Sequence, residues 1–355
     1  MTTAPAAVPA ADAHNDLLML VEHFRDDPGY FRRNWLPQLQ AGQVRTQVLP
    51  VYVDEEFLPE LALRQTLRLI ETALATVGSC PELMLCRQPG EVERALASDR
   101  IGIVLALEGC PAIGTDVQLL RTLFRLGVRV ASLTHFGRNS LADGSAEDAT
   151  GSGLTRAGVA AVELMQSLGV LVDVSHLSLT GIRHVLDITR GPVLATHSSC
   201  RALREHHRNL PDAEMRAIAA TGGVIGINFF PLFLSDGPVT ISDVADHVEH
   251  AVSVAGLCHV GLGPDFTREI AEGVLKEQAE IDALISRFAE GWTLERIAPL
   301  ERSIMRVALF ELLHRDDIPD EVAIDEAVEA AKELCGADAP KFVNGILGSI
   351  LKAEA

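Results

Sequence analysis

Between residues 10 and 266 short apolar runs rich in β-branched residues alternate with longer amphipathic stretches, the pattern of repeated βα units. The runs predict strands at Ala10 to Leu18, Thr46 to Val53, Ile101 to Gly109, Val128 to His135, Leu171 to His176, Pro192 to Ser199, Gly223 to Phe230 and His259 to Phe266. Eight strands separated by helix-length segments predict an α/β fold, a (β/α)8 barrel of the TIM type, with catalytic side chains at the C-terminal ends of the strands. After residue 270 the period changes. Helical periodicity runs over 268–291, 299–314, 324–335 and 341–352, and Pro299, Pro319 and Pro340 each fall near a helix start. Gly336 suits a helix C-cap. The expected organisation is a barrel over residues 1–270 and an all-α segment over 271–355.

A chain of 355 residues accommodates either one barrel-sized domain or two smaller ones, so the pattern and not the length decides. An apolar fraction of 48% and a mean hydropathy of +0.20 describe a globular chain, and no uninterrupted run of about 18 apolar residues marks a membrane span. The Ala- and Pro-rich start, Met1 to Asp12, lacks the basic residues and apolar core of a signal peptide, so a cytoplasmic location is expected, with no membrane partner. A net charge of -19 excludes broad phosphate-backbone binding by the whole chain. The six cysteines show no C-x-x-C spacing and read as reduced, mostly buried thiols. Every lysine lies beyond residue 275, whereas eleven of the twelve histidines precede residue 270. Two segments of different origin explain that asymmetry.

Polar residues gather where the predicted strands end: His14 and Asp16, Glu108, His135, His176, His197 and Asp265. Any one of them alone reads as an ordinary surface or loop residue. Seven on one rim are costly beside apolar strands unless they serve one another or a metal. A strand ending His-x-Asp would point both side chains to one face. Imidazole and carboxylate donors without thiolates suit Zn²⁺ or a similar first-row ion, and a carboxylate such as Glu108 can bridge two ions about 3.5–4 Å apart. His176 and His197 would complete the second ion. Paired ions make hydroxide available near neutral pH, as hydrolysis of an unactivated amide requires. Asp265 would carry a proton from the water to the departing amine.

These residues stand in a series of motifs: DAHNDL (12–17), ALEGC (106–110), SLTHFGRNSLADG (132–144), LVDVSHLS (171–178), PVLATHSSCRAL (192–203), RNLPD (208–212), GGVIGINFF (222–230) and HVGLGPDF (259–266). The series resembles the membrane (renal) dipeptidase family of binuclear zinc peptidases over roughly residues 10 to 267. The resemblance implies a dipeptide substrate and two Zn²⁺ ions on His14, Asp16, Glu108, His176 and His197, bridged by Glu108 and a water or hydroxide. It also implies that Asp265 transfers the proton, His135 steadies the tetrahedral oxyanion and Arg208 binds the substrate carboxylate. A fixed donor in a dry site and a guanidinium fork suit those last two tasks. Outside the motif, Arg208 would read as a solvated residue of an Arg- and His-rich loop. Cys110 and Cys200 read as packing residues, and His206 and His207 as loop residues.

From about Arg268 the chain is similar instead to the C-terminal half of the antitermination factor NusB, through REIAEGV (268–274), EIDALI (280–285), GWTLERIAPLERSIMRVALFELL (291–313), VAIDEAVEAAKEL (322–334) and KFVNGILGSIL (341–351). That resemblance implies an RNA or ribosomal-protein binding module as an alternative function, with the N-terminal basic half of such a module missing. A third reading keeps the barrel with another amide or a lactam as substrate. A homodimer is left open. The eighth strand also needs a helix over its outer face, and without one the wall would expose an apolar patch.

Overall fold

The structure, a computed structural model, describes residues 9–237, 239–266, 278–289, 291–314, 319–335 and 339–354. The β-branched runs form β1 (Ala10–Asp12), β2 (Val44–Tyr52), β3 (Leu83–Leu85), β4 (Ile101–Glu108), β5 (Val128–Ser132), β6 (Leu171–Asp173), β7 (Val193–Ala195), β8 (Val224–Ile227) and β9 (Val260–Leu262). Every pairing between them is parallel. The ring runs β1, β2, β4, β5, β6, β7, β8, β9 and closes where Asp12 of β1 meets Leu262 of β9. This is the expected (β/α)8 barrel. β3 is an addition that the pattern did not predict: it pairs with the start of β4 at Leu83↔Ile101 and Leu85↔Ile103. β5 takes the later part of the same edge, from Leu105↔Val128 to Leu107↔Ala131.

Several strands stop before their apolar runs do. The first was expected to reach Leu18 but ends at Asp12, and Leu17–His23 is a helix. The Asp12 carboxylate accepts the His14 N–H at 2.9 Å, which gives the backbone a local partner in place of the ladder. β6 ends in the same way, with Asp173 accepting the Ser175 N–H at 3.1 Å. Two of the rim loops therefore begin in side-chain-capped turns.

The helix Ala62–Ser79 shows how the outer layer packs: its buried residues Ala62, Thr66, Leu69, Ile70 and Ala73 recur at helical spacing along one stripe. Inside, Leu49, Ile103, Leu105, Val193 and Ile225 are buried. Bulky branched residues thus fill the barrel and its wall.

Backbone contacts divide the chain into two compact units, 1–266 and 267–355. The expected junction near residue 270 lies outside the described residues, as does Gly336. In the second unit the helices are Gln278–Phe288, Pro299–His314, Asp320–Leu334 and Ala339–Glu354, with no strand among the described residues. Ile281, Ile285, Met305, Leu309, Ala331, Val343 and Leu347 build its own core. Arg306 donates to both carboxylate oxygens of Asp282 at 2.7 Å. Among the described residues no helix is long and apolar enough to cross a membrane.

Candidate metal centre

Glu108 is the last residue of β4, and the other rim residues lie in the loops that follow their strands. His14 and Asp16 do not share a strand face as their spacing suggested. His14 follows the turn made by Asp12, whose second oxygen accepts from the Asn15 amide at 3.2 Å, and Asp16 precedes the helix Leu17–His23. The turn brings them together all the same, with His14 Nε2 at 3.7 Å from Asp16 Oδ1. Asp265 follows β9 in the left-handed region, at φ 57°. Its N–H donates to the His14 carbonyl at 3.0 Å, and Asn228 Nδ2 donates to its Oδ2 at 2.8 Å.

The side chains converge in two groups around Glu108. Glu108 Oε1 lies 2.9 Å from His176 Nε2 and 3.6 Å from His197 Nε2, and the two imidazole nitrogens are 2.8 Å apart. Glu108 Oε2 lies 3.5 Å from His14 Nε2, which is 3.8 Å from Asp265 Oδ1. Donor atoms of Glu108, His176 and His197 fall within 4.8 Å of one another, as do those of His14, Asp16 and Asp265. His14 Nε2 and Asp16 Oδ1 are buried with no hydrogen-bond partner among the described residues. Buried polar atoms are normally satisfied, and nitrogen and oxygen donors facing a common space at these separations are what a divalent cation would satisfy. The residues fit a metal.

Burial and mutual charge act strongly here. Asp16 is held well above the usual carboxylate range by burial and then by Glu108 and Asp265, and Asp265 is raised by burial. Burial is the largest influence on Glu108 and opposes its ionisation, but His14 and His176 together outweigh it and hold the carboxyl well below its usual range. His14 answers: burial disfavours its cation, yet Glu108 raises it to about 10. His176 and His197 are pushed well below the ordinary histidine value by burial, assisted by Arg208 and by His14 respectively.

His135 stands at the mouth, 4.0 Å from Glu108 Oε1, its ring 4.7 Å from Tyr52 and 4.4 Å from Phe136. Arg208 is not the solvated loop residue that its surroundings in sequence suggested. It is 2% exposed, donates to the carbonyls of Ser175 and His197, and lies over Phe136 and Phe233 at 5.8 and 5.4 Å. Its Nε is buried without a hydrogen-bond partner among the described residues. The rim thus gathers all eight residues singled out in the sequence.

Four supporting residues escaped sequence reasoning: Asp173, Ser175, Thr196 and Asn228. Asp173 and Asn228 did carry a signal, because each places a polar side chain inside an otherwise apolar strand run, VDV and GIN, at a cost that needs a partner. Ser175 and Thr196 carried none.

The comparisons with known proteins bear on this geometry. A model of the membrane dipeptidases, Peptidase family M19, matches residues 4–309. The chain belongs to Peptidase family M19. This M19 metallo-dipeptidase is 32% identical over 283 residues to dipeptidase aclJ of Aspergillus oryzae, across 73% of this chain and 67% of that one. It is 31% identical over 318 residues to dipeptidase verJ of Clonostachys rogersoniana, across 80% and 76%. A metallopeptidase from Rhodobacter sphaeroides, solved with a phosphinate mimic of the dipeptide L-Ala-D-Ala, superposes with a TM-score of 0.70 at 23% identity, covering 86% of this chain and 99% of that one. The family match continues past Phe266 to residue 309, further than the motifs, which ended near 267. A NusB of T. maritima, 34% identical over 31% of this chain and 73% of that one, reaches a TM-score of only 0.23, too low to indicate a shared fold.

Proposed function

We propose that this M19 enzyme cleaves dipeptides at a binuclear zinc centre held by His14, Asp16, Glu108, His176 and His197. The observation that carries the reading is the division of Glu108 between two donor groups, Oε1 toward His176 and His197 and Oε2 toward His14. A carboxylate with one oxygen in each group is placed to bridge. When bound, the ions would lower the pKa of water and offset the charge that develops on the peptide carbonyl.

The protein's own groups account for the remaining work. Arg208 would hold the free carboxylate of the substrate, with its unpartnered Nε and its buried charge as the attraction. That requirement places the scissile bond one residue from a free C-terminus, and a dipeptide is the shortest substrate that meets it. His135, at the mouth, would donate to the carbonyl oxygen as water adds to the carbon. Asp265 accepts the proton of that water at a carboxylate oxygen and delivers it to the amide nitrogen as the C–N bond breaks. Asn228 holds Asp265 in place for both transfers.

Metal analysis with a dipeptide panel tests the proposal. The expected result is about two equivalents of zinc, release of free amino acids and a metal-poor, inert His14→Ala variant. Metal-replete protein that cleaves no dipeptide would sink it. Loss of most kcat/KM in Arg208→Ala separates a dipeptidase from an enzyme acting on neutral cyclic amides or lactams. For the second unit, the sequence motifs support an RNA-binding reading similar to NusB, and the absence of salt-sensitive binding of antitermination RNA by the full chain would remove it.

A further inference from the structure

We infer that Asp173 and Thr196 form a relay that sets the tautomer of His14 and His197 together, so that one hydroxyl orients an imidazole in each of the two donor groups. The inference rests on the metal-binding reading above.

The hydrogen-bond inventory of one side chain carries it. Thr196 Oγ1 has one proton and two lone pairs. It lies 2.6 Å from Asp173 Oδ2, 2.9 Å from His197 Nδ1 and 3.4 Å from His14 Nδ1. Asp173 Oδ1 already accepts from the Ser175 N–H at 3.1 Å, the Ser175 hydroxyl at 2.6 Å and the Thr196 N–H at 3.0 Å. Ser175 Oγ also lies 3.2 Å from Thr196 Oγ1, but its own proton has the shorter path to Asp173. A carboxylate so placed is an acceptor throughout, so the Thr196 proton goes to Asp173. The two lone pairs of Thr196 are left for the imidazoles, and each must then present Nδ1–H. With Nδ1–H directed at Thr196, Nε2 is the nitrogen of each ring that faces Glu108 and the one a metal would take, His14 giving up its Nε2 proton as the metal binds.

The relay is fixed in space by the barrel. Asp173 ends β6, Thr196 follows β7, and a Cβ at Gly226 or Gly263 would collide with the Thr196 carbonyl oxygen. Gly226 in β8 and Gly263 just after β9 thus leave room for the Thr196 backbone. His176 provides the internal contrast, because its Nδ1 is buried with no hydrogen-bond partner among the described residues. Only the two rings that touch Thr196 have their tautomer dictated by it.

The test uses full-length protein, zinc competition against a chromophoric chelator, ¹⁵N spectra of histidine-labelled metal-free protein, and thermal melting to establish folding. Thr196→Val is expected to weaken zinc binding roughly 10- to 100-fold and to remove the Nδ1–H signature of His197. Thr196→Ser, which keeps the hydroxyl and drops the methyl, restores both. Asp173→Asn, near isosteric, puts a donor where Oδ2 was, turns the Thr196 proton toward the imidazoles and shifts His197 toward the Nε2–H form. Folded Thr196→Val protein with unchanged zinc affinity and an unchanged His197 signature overturns the relay, and so does Thr196→Ser protein that fails as badly as Thr196→Val. Wild-type protein that takes up no zinc yet shows His197 as Nδ1–H sinks the metal reading and supports the relay.

Discussion

Glu108 and Asp265 face the same imidazole from walls of unlike build. Glu108 ends an eight-residue strand that is buried along nearly its whole length and paired on both edges. Asp265 follows a three-residue strand that ends at the half-exposed Leu262, and its position depends on a left-handed backbone, the Asn228 amide and a single hydrogen bond to the His14 carbonyl. In the proposed mechanism the two carboxylates take different tasks, and the unlike build of their walls suits each to its own. A side chain on a rigid central strand suits a fixed bridge between ions. A side chain on a short loop held by polar contacts retains the freedom to exchange protons.

Five variants put that contrast to the test. Glu108→Ala should reduce kcat/KM on the order of 10^4-fold or more and strip metal from both positions. Elemental analysis would show it, and a variant that keeps two ions would contradict the bridge. Asp265→Asn should lower kcat roughly 10^2- to 10^4-fold while Glu108 still retains metal. A purely structural Asp265 would instead lose zinc in proportion to activity. Asn228→Ala should cost roughly tenfold in kcat through misplacement of Asp265, read from steady-state kinetics with KM nearly unchanged. The strands themselves supply the smallest effect on activity. Leu105→Ala in β4 should cost about 2–5 kcal/mol of stability, against less than about 1 kcal/mol for Leu262→Ala in β9, as denaturant melts of the two variants would reveal.

Much of the rim was legible because a charged or imidazole side chain at the end of an apolar run has few cheap explanations. Glu108, closing IGIVLALE, needed no tertiary information to be noticed. The convergence of His14 and Asp16 was also anticipated, but for the wrong reason: alternation along a strand was expected, whereas a turn capped by Asp12 does the work. Local capping competes with strand pairing through individual hydrogen bonds, and hydrophobic pattern is blind to those. The short strand β3 was missed because LML has too few residues to show a period. Arg208 was singled out by its motif alone, since its basic neighbours read as a solvated loop, and its place against Phe136 and Phe233 shows it to be buried.

The order of apolar runs by itself determined the barrel, its eight-strand ring and the rim on which the polar residues fall, because burial with period two and period 3.6 is written locally in the chain. Composition likewise separated the helical segment from the barrel. Which oxygen of Glu108 faces which imidazole, the burial of Arg208 and the place of Thr196 between His14 and His197 follow from the closed barrel alone. Those relations join residues far apart in the chain, 182 positions in the case of Thr196 and His14. They depend on where a closed ring of strands brings separate loops within hydrogen-bonding distance, which no local pattern encodes.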